Sequence, residues 1–210
     1  MGVEEYKAIL MADLSGYTAL TETHGAVSAA DLIDKYVGIV KESLVGDSQL
    51  KERTGDEVMI VSNSPDSLLS TAAMIIKKTS KEDNFLQVHG GLHYGKVLHR
   101  GHSYFGSTIN LTARITSKAN PGTFWCSEEF IDALTDRSLF ELRSQGLHSF
   151  KNVKGVMELT ELVNEKSESF LIDPVCRMLI LNKELAVKHP QSDDLYFCSN
   201  GCMHIYSSTH

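Results

Sequence analysis

The chain has 210 residues, 42% hydrophobic and 22% charged, with a formal net charge of −7. That length suffices for one sizeable core plus a small appended unit, and the acidic balance leaves no basic footprint for nucleic acid or an anionic membrane. No apolar stretch approaches the ~18–20 residues that span a bilayer, and no basic segment followed by an apolar run opens the chain. A cytoplasmic protein with neither nucleic-acid nor membrane partners is expected.

Residues 6–14 form a nearly continuous apolar run, as a buried strand requires, interrupted by Asp13 and followed by Ser15-Gly16-Tyr17-Thr18, a turn and helix start. Residues 28–44 carry helical apolar spacing. Residues 50–61 read as strand, tight turn at Gly55-Asp56, and strand, because apolar or β-branched residues flank the dipeptide. Pro65 opens a second helix through Lys78. Residues 86–97 read as a strand, with a turn near Gly101, and residues 106–118 as a third helix. Trp125 and Cys126 end a short strand, residues 128–134 make a brief helix, and residues 140–150 and 157–163 are the last strands. Helices packed on one side of a mostly antiparallel sheet are the expected architecture, an α+β sandwich. His93, mid-strand among apolar residues, reads as a hydrogen-bonded structural histidine, and Cys126 as a buried core thiol.

A carboxylate inside a buried strand is costly unless it is paired or metal-bound. Singly, Asp13 can cap the helix that follows it and Asp56 can shape a turn. A hairpin laid beside the first strand would bring the two together, and two carboxylates at strand ends can hold two Mg²⁺ ions, which prefer oxygen ligands and keep substrate phosphates in their shell. Asn110 and Arg114 lie one helical turn apart, an amide and a guanidinium suited to a phosphorylated sugar. Together these point to an enzyme acting on a nucleoside triphosphate.

The blocks resemble the class III adenylate/guanylate cyclase catalytic domain. Ala12-Asp13-Leu14-Ser15-Gly16-Tyr17-Thr18 is similar to its first metal-binding turn, Thr54-Gly55-Asp56-Glu57-Val58-Met59 to its second, and Gly91-Leu92-His93-Tyr94-Gly95 to a later strand. Residues 105–115, with Ala119-Asn120-Pro121-Gly122 and Ser127, resemble the "G-x-x-V-N-x-A-x-R" helix and the strand after it. Asn152-Val153-Lys154-Gly155 falls where that family has a "K-G" turn. The resemblance covers roughly Tyr6 to Val163 and implies a ferredoxin-like fold of class III cyclase type. It also implies that Asp13 and Asp56 bind two Mg²⁺ or Mn²⁺ ions per site, that Asn110 orients the ribose, that Arg114 stabilises charge on the α-phosphate, and that Lys154 contacts the β- and γ-phosphates. The site would lie at a homodimer interface, metal aspartates from one subunit and Asn110 and Arg114 from the other. The reaction would join the ribose 3′-oxygen to the α-phosphate and release pyrophosphate.

Two departures bear on the base. Where adenylate cyclases of the family place a lysine and an aspartate, this chain has Glu52 and Ser103. Glu52 can only accept and Ser103 can donate, a pairing that matches guanine better than adenine; uracil offers a similar edge on a smaller ring. GTP is therefore favoured over ATP. Lys51 beside Glu52 leaves ATP open if the turn register differs by one, and a weak or inactive nucleotide-binding relative that signals through its metal module is the alternative reading.

Residues 164–170 are a short polar run that reads as a linker between a catalytic domain, residues 1–163, and a unit at 171–210. That unit resembles the YHS domain, through Asp173-Pro174-Val175-Cys176-Arg177-Met178 and Tyr196-Phe197-Cys198-Ser199-Asn200-Gly201-Cys202, with Arg177 where the family has glycine. A unit so small needs a metal or a partner surface to hold its fold. Cys176, Cys198 and Cys202 can converge on a soft or borderline metal such as Zn²⁺ or Cu(I), with His204, His189 or water as fourth ligand. A disulfide is disfavoured in a reducing cytosol.

Overall fold

A computed structural model of the chain describes residues 2–101, 103–151, 153, 155–163, 171–176, 178–180 and 183–209. The linker expected at 164–170 lies outside these, as does Lys154.

The main sheet orders its strands β2-β3-β1-β4-β6-β8-β7, with a short β5 pairing β4 at the β4 end. Here β1 is Val3–Ser15, β2 Gln49–Thr54, β3 Glu57–Ser62, β4 Gln87–Arg100, β5 Ser103–Phe105, β6 Phe124–Ser127, β7 Leu142–His148 and β8 Met157–Leu162. All neighbours are antiparallel except β4 and β6, which run parallel through the α3 crossover. The helices are α1 (Tyr17–Glu42), α2 (Pro65–Thr79), α3 (Ser107–Lys118) and α4 (Glu128–Asp132).

Strand alternation divides the core. Ala8, Leu10, Ala12 and Leu14 of β1 join Val58 and Ile60 of β3 in the large cluster beneath α1, α2 and α4, centred on buried Tyr36, Leu68, Ile75 and Phe130. Ile9 and Met11 project the other way, with Met59 and Val61, against Ile109 and Ala113 of α3. The expectation that every helix lies on one side is corrected here: α3 covers the opposite face. Gly91 is the local reason. A side-chain carbon there would lie 2.5 Å from Thr116 N and 2.8 Å from Thr112 O, so only glycine lets α3 settle this close to β4. Thr116 Oγ1 then donates to Met11 O at 3.2 Å and Thr108 Oγ1 to Lys96 O at 2.7 Å, tying both ends of α3 to the central strands.

The helix start expected at residues 15–18 and the helical spacing expected at 28–44 belong to one element. It starts at Tyr17, after Gly16 in the left-handed region (φ 95°), and breaks helical geometry at Gly25 (φ 81°, ψ 168°). The C-terminal unit has two short hairpins, β9 (Leu171–Ile172) with β10 (Leu179–Ile180) and β11 (Val187–Lys188) with β12 (Tyr196–Phe197), then α5 (Asn200–Thr209). Its small core holds Cys176, Phe197 and Cys202 with Val175, Leu195, Met203 and Tyr206. Met178 forms a bridge with Leu86 and packs against both the small core and the large one. Among the described residues, no helix is long and apolar enough to cross a membrane.

Candidate active site and cysteine cluster

β1 and β3 run antiparallel with Ala12 opposite Val58, so the end of β1 meets the turn between β2 and β3. Asp13 and Asp56 meet there and share a side-chain hydrogen bond, while the Leu14 N–H donates to both carboxyls. Burial raises Asp13 above the usual carboxylate range. Burial, and then the neighbouring Asp13, push Asp56 up to about 6; Glu57 beside them is raised by burial and by Asp56. Behind the pair, the Tyr36 hydroxyl is buried without a hydrogen-bond partner among the described residues, and burial followed by the charges of Asp13, Asp56 and Glu57 drives it well above its ordinary range. Two half-buried carboxyls in contact call for either a shared proton or a cation. All-oxygen donors at a strand end suit Mg²⁺ or Mn²⁺.

Asn110 and Arg114 stand on the outward side of α3, Asn110 exposed and Arg114 half-buried, because Thr108, Leu111, Thr112, Ile115 and Thr116 take the inward positions. No hydrogen bond or ion pair among the described residues joins either to the aspartate pair. Glu52 is exposed on β2 opposite Met59, and the pairing skips Lys51: Leu50 faces Ile60, Glu52 faces Met59, and Lys51 is the extra residue of a bulge. A bulge sets two residues against one, so Lys51 and Glu52 stand side by side at this edge. Ser103 is half-buried on β5, opposite Arg100 of β4.

A second constellation lies in the C-terminal unit. Cys176, Cys198 and Cys202 converge, with Sγ–Sγ distances of 3.5 Å for Cys176–Cys198 and 3.6 Å for Cys198–Cys202, and all are free thiols. Fully buried Asp173 organises the loops: one oxygen accepts from the N–H groups of Val175 and Cys176, the other from Cys198 N–H at 2.7 Å. Ser199 Oγ accepts from Cys202 N–H at 3.2 Å, which places Cys202 in the first turn of α5.

The fourth residue is neither His204 nor His189. His204 is exposed, and the His189 ring packs on Phe197 and Tyr206 with Nε2 3.5 Å from Ser207 Oγ. His24 of α1 is there instead, Nε2 3.4 Å from Cys202 Sγ and 3.7 Å from Cys198 Sγ, so that the four ligand atoms lie within 4.8 Å of one another. Sequence reasoning missed His24 because it sits far from the cysteines in the chain; the only local signal is a histidine followed by Gly25, which ends the first two turns of α1.

Residues 3–164 match the family described as the adenylate and guanylate cyclase catalytic domain. An uncharacterised protein of Mycobacterium tuberculosis is 36% identical over 126 residues, 60% of this chain and 33% of the relative. An adenylate cyclase of Glutamicibacter nicotianae is 28% identical over 168 residues, 80% of this chain and 41% of the relative. The chain thus spans about a third to two fifths of these relatives. The crystal structure of the guanylyl cyclase Cya2 superposes with a TM-score of 0.67 at 20% identity, covering 80% of this chain and 96% of that one, a likeness of fold. By the match over residues 3–164, this chain belongs to the adenylate and guanylate cyclase catalytic domain family.

Proposed function

We propose that the chain is a nucleotidyl cyclase acting as a homodimer, converting a nucleoside triphosphate to a 3′,5′-cyclic nucleotide and pyrophosphate in cyclic-nucleotide signalling. The observation that carries this reading is the contact between Asp13 and Asp56, two half-buried carboxyls brought together at a strand end, where an all-oxygen donor set suits a divalent cation. They would hold two Mg²⁺ or Mn²⁺ ions, which supply charge neutralisation at the triphosphate and acidify the 3′-hydroxyl. The ribose 3′-oxygen bonds to the α-phosphorus, its bond to the bridging oxygen breaks, pyrophosphate leaves, and the hydroxyl proton passes to solvent. Positioning and charge stabilisation do most of such work. Asn110 orients the ribose and Arg114 takes up charge on the α-phosphate. Both point outward from α3, which suits a site completed by a second copy across a two-fold axis. Lys154 would reach the terminal phosphates.

For the base, Glu52 and Ser103 present an acceptor and a donor that suit guanine, and GTP is the first reading. ATP is the second, favoured by the bulge that sets Lys51 beside Glu52 and by the adenylate cyclase name of the Glutamicibacter relative. Incubation of the purified chain with ATP, GTP, UTP and CTP in turn, with Mg²⁺ or Mn²⁺, and chromatography of the products decides both points. Cyclic GMP in excess over the other products is expected. Failure of all four nucleotides with both metals overturns the enzymatic reading in favour of a nucleotide-binding relative.

A further inference from the structure

We propose that His24, Cys176, Cys198 and Cys202 form a tetrahedral site for Zn²⁺ or a similarly thiophilic cation, with the cyclase-family region itself supplying the fourth ligand. The cation would then fasten the C-terminal unit to the first two turns of α1.

The distances fit this geometry. A tetrahedron with metal–sulfur bonds of ~2.3 Å and a metal–nitrogen bond of ~2.0 Å has sulfur–sulfur edges of about 3.8 Å and sulfur–nitrogen edges of about 3.5 Å. The observed edges are 3.5 and 3.6 Å between sulfurs and 3.4 and 3.7 Å from His24 Nε2 to two of them. The donors, three sulfurs and one imidazole nitrogen, select against Mg²⁺ and for thiophilic ions. Cys176 and Cys202 are buried while His24 and Cys198 are half-exposed, which leaves a route of entry. The supports are also in place. Asp173 holds the Cys176 and Cys198 backbones, and Ser199 Oγ accepts from the Cys202 N–H at the start of α5.

The location gives the site a consequence. Residues 17–24 connect the strand end that carries Asp13 to the Gly25 break, and beyond that break α1 is packed into the core from Ala29 onward. Within residues 17–24, Leu20 is the fully buried anchor. A cation gripping His24 restrains the far end of this piece, and so the turn beside Asp13. Removing the cation frees it. The inference stands apart from the cyclase reading, since the site would exist in a chain that turns over no nucleotide.

The test uses the full chain, stripped of metal under reducing conditions and titrated with Co²⁺ and then Zn²⁺. One Co²⁺ per chain should give the intense thiolate-to-metal and d–d absorption of a tetrahedral sulfur-rich site, bleached by Zn²⁺, and hydrogen exchange of residues 17–24 should slow when Zn²⁺ is bound. His24→Asn, checked for an unchanged fold by circular dichroism, should weaken Co²⁺ binding about a hundredfold or more, since even ligand-supporting partners are worth about ten- to a hundredfold. It should also alter the spectrum and make exchange in residues 17–24 indifferent to Zn²⁺. Cys126→Ser should change none of this. No tetrahedral cobalt spectrum in the native chain, or a His24→Asn variant that keeps the native affinity and spectrum, overturns the proposal; so does a loss of binding in Cys126→Ser.

Discussion

Asp56 hydrogen-bonds Asp13 from the tip of a separate hairpin, and burial together with that neighbour holds it at about 6. A carboxyl whose pKa is raised by folding opposes the fold once it ionises, so the pair weakens the cation-free protein as pH rises through about 6. Asp56→Asn relieves this. The variant should melt higher than the native chain without divalent metal at pH 7.5, should lose the rise in Tm that Mg²⁺ gives the native chain, and should lose at least about a hundredfold in turnover, the scale of removing one preorganised transition-state group. Differential scanning calorimetry with and without Mg²⁺ reads the first two. A Mg²⁺ shift that survives Asp56→Asn would remove this carboxylate from the metal site.

Asn110 and Arg114 face away from the core on α3, whereas the aspartate pair ends β1 and the β2–β3 hairpin. If each site takes its acids from one subunit and its guanidinium from the other, Asp13→Ala and Arg114→Ala should each be inactive alone and recover activity when mixed. Random pairing makes half the dimers hybrid, each with one intact site of two, so about a quarter of native turnover per dimer should return. Subunits need time to exchange, so the assay follows activity after incubation or after co-expression. Mixtures as inactive as their components would place the whole site within one chain.

Much of this was readable from the residues, for identifiable reasons. The Gly55-Asp56 turn between β-branched runs specified the hairpin that carries the second acid, and Pro65 after Ser64 specified the start of α2, where Ser64 Oγ accepts from Ser67 N–H. The start of α1 after Gly16 was readable, but its course through Thr21, Glu22, Thr23 and His24 was not, because these carry no apolar period. They are helical nonetheless, with Thr21 and Thr23 hydroxyls donating to the carbonyls of Tyr17 and Ala19. The inward positions of α3 were legible but the face it covers was not, since that depends on the missing side chain of Gly91, a tertiary fact. The three cysteines were legible as a set. Their neighbour His24 was not, because nothing local distinguishes a histidine that meets α5 from one that meets water.

His93 offers a test of the core rather than the site. Its Nδ1 lies 2.7 Å from Ser127 Oγ, which also accepts from Phe130 N–H at the start of α4, so the ring is tied to the serine that caps that helix. Burial keeps His93 below the usual imidazole range, and Glu129, 3.7 Å away, opposes that shift. A base lowered by folding contributes stability that is fully present above its unfolded value, near 6.5, and is lost as pH falls below it. His93 should therefore contribute a loss of stability between pH 6.5 and 5 of at most about 1.4 kcal/mol per pH unit, set against the opposite trend of Asp56 and beside the like one of His89, and read as the difference between the native and His93→Asn curves. His93→Asn should flatten that stretch of the curve at some cost in stability at neutral pH. Glu129→Gln, by removing the carboxylate that favours the imidazolium, should steepen it. Urea unfolding from pH 7.5 to 5 measures all three chains, and a Glu129→Gln curve flatter than the native one would show that the histidine is charged in the fold.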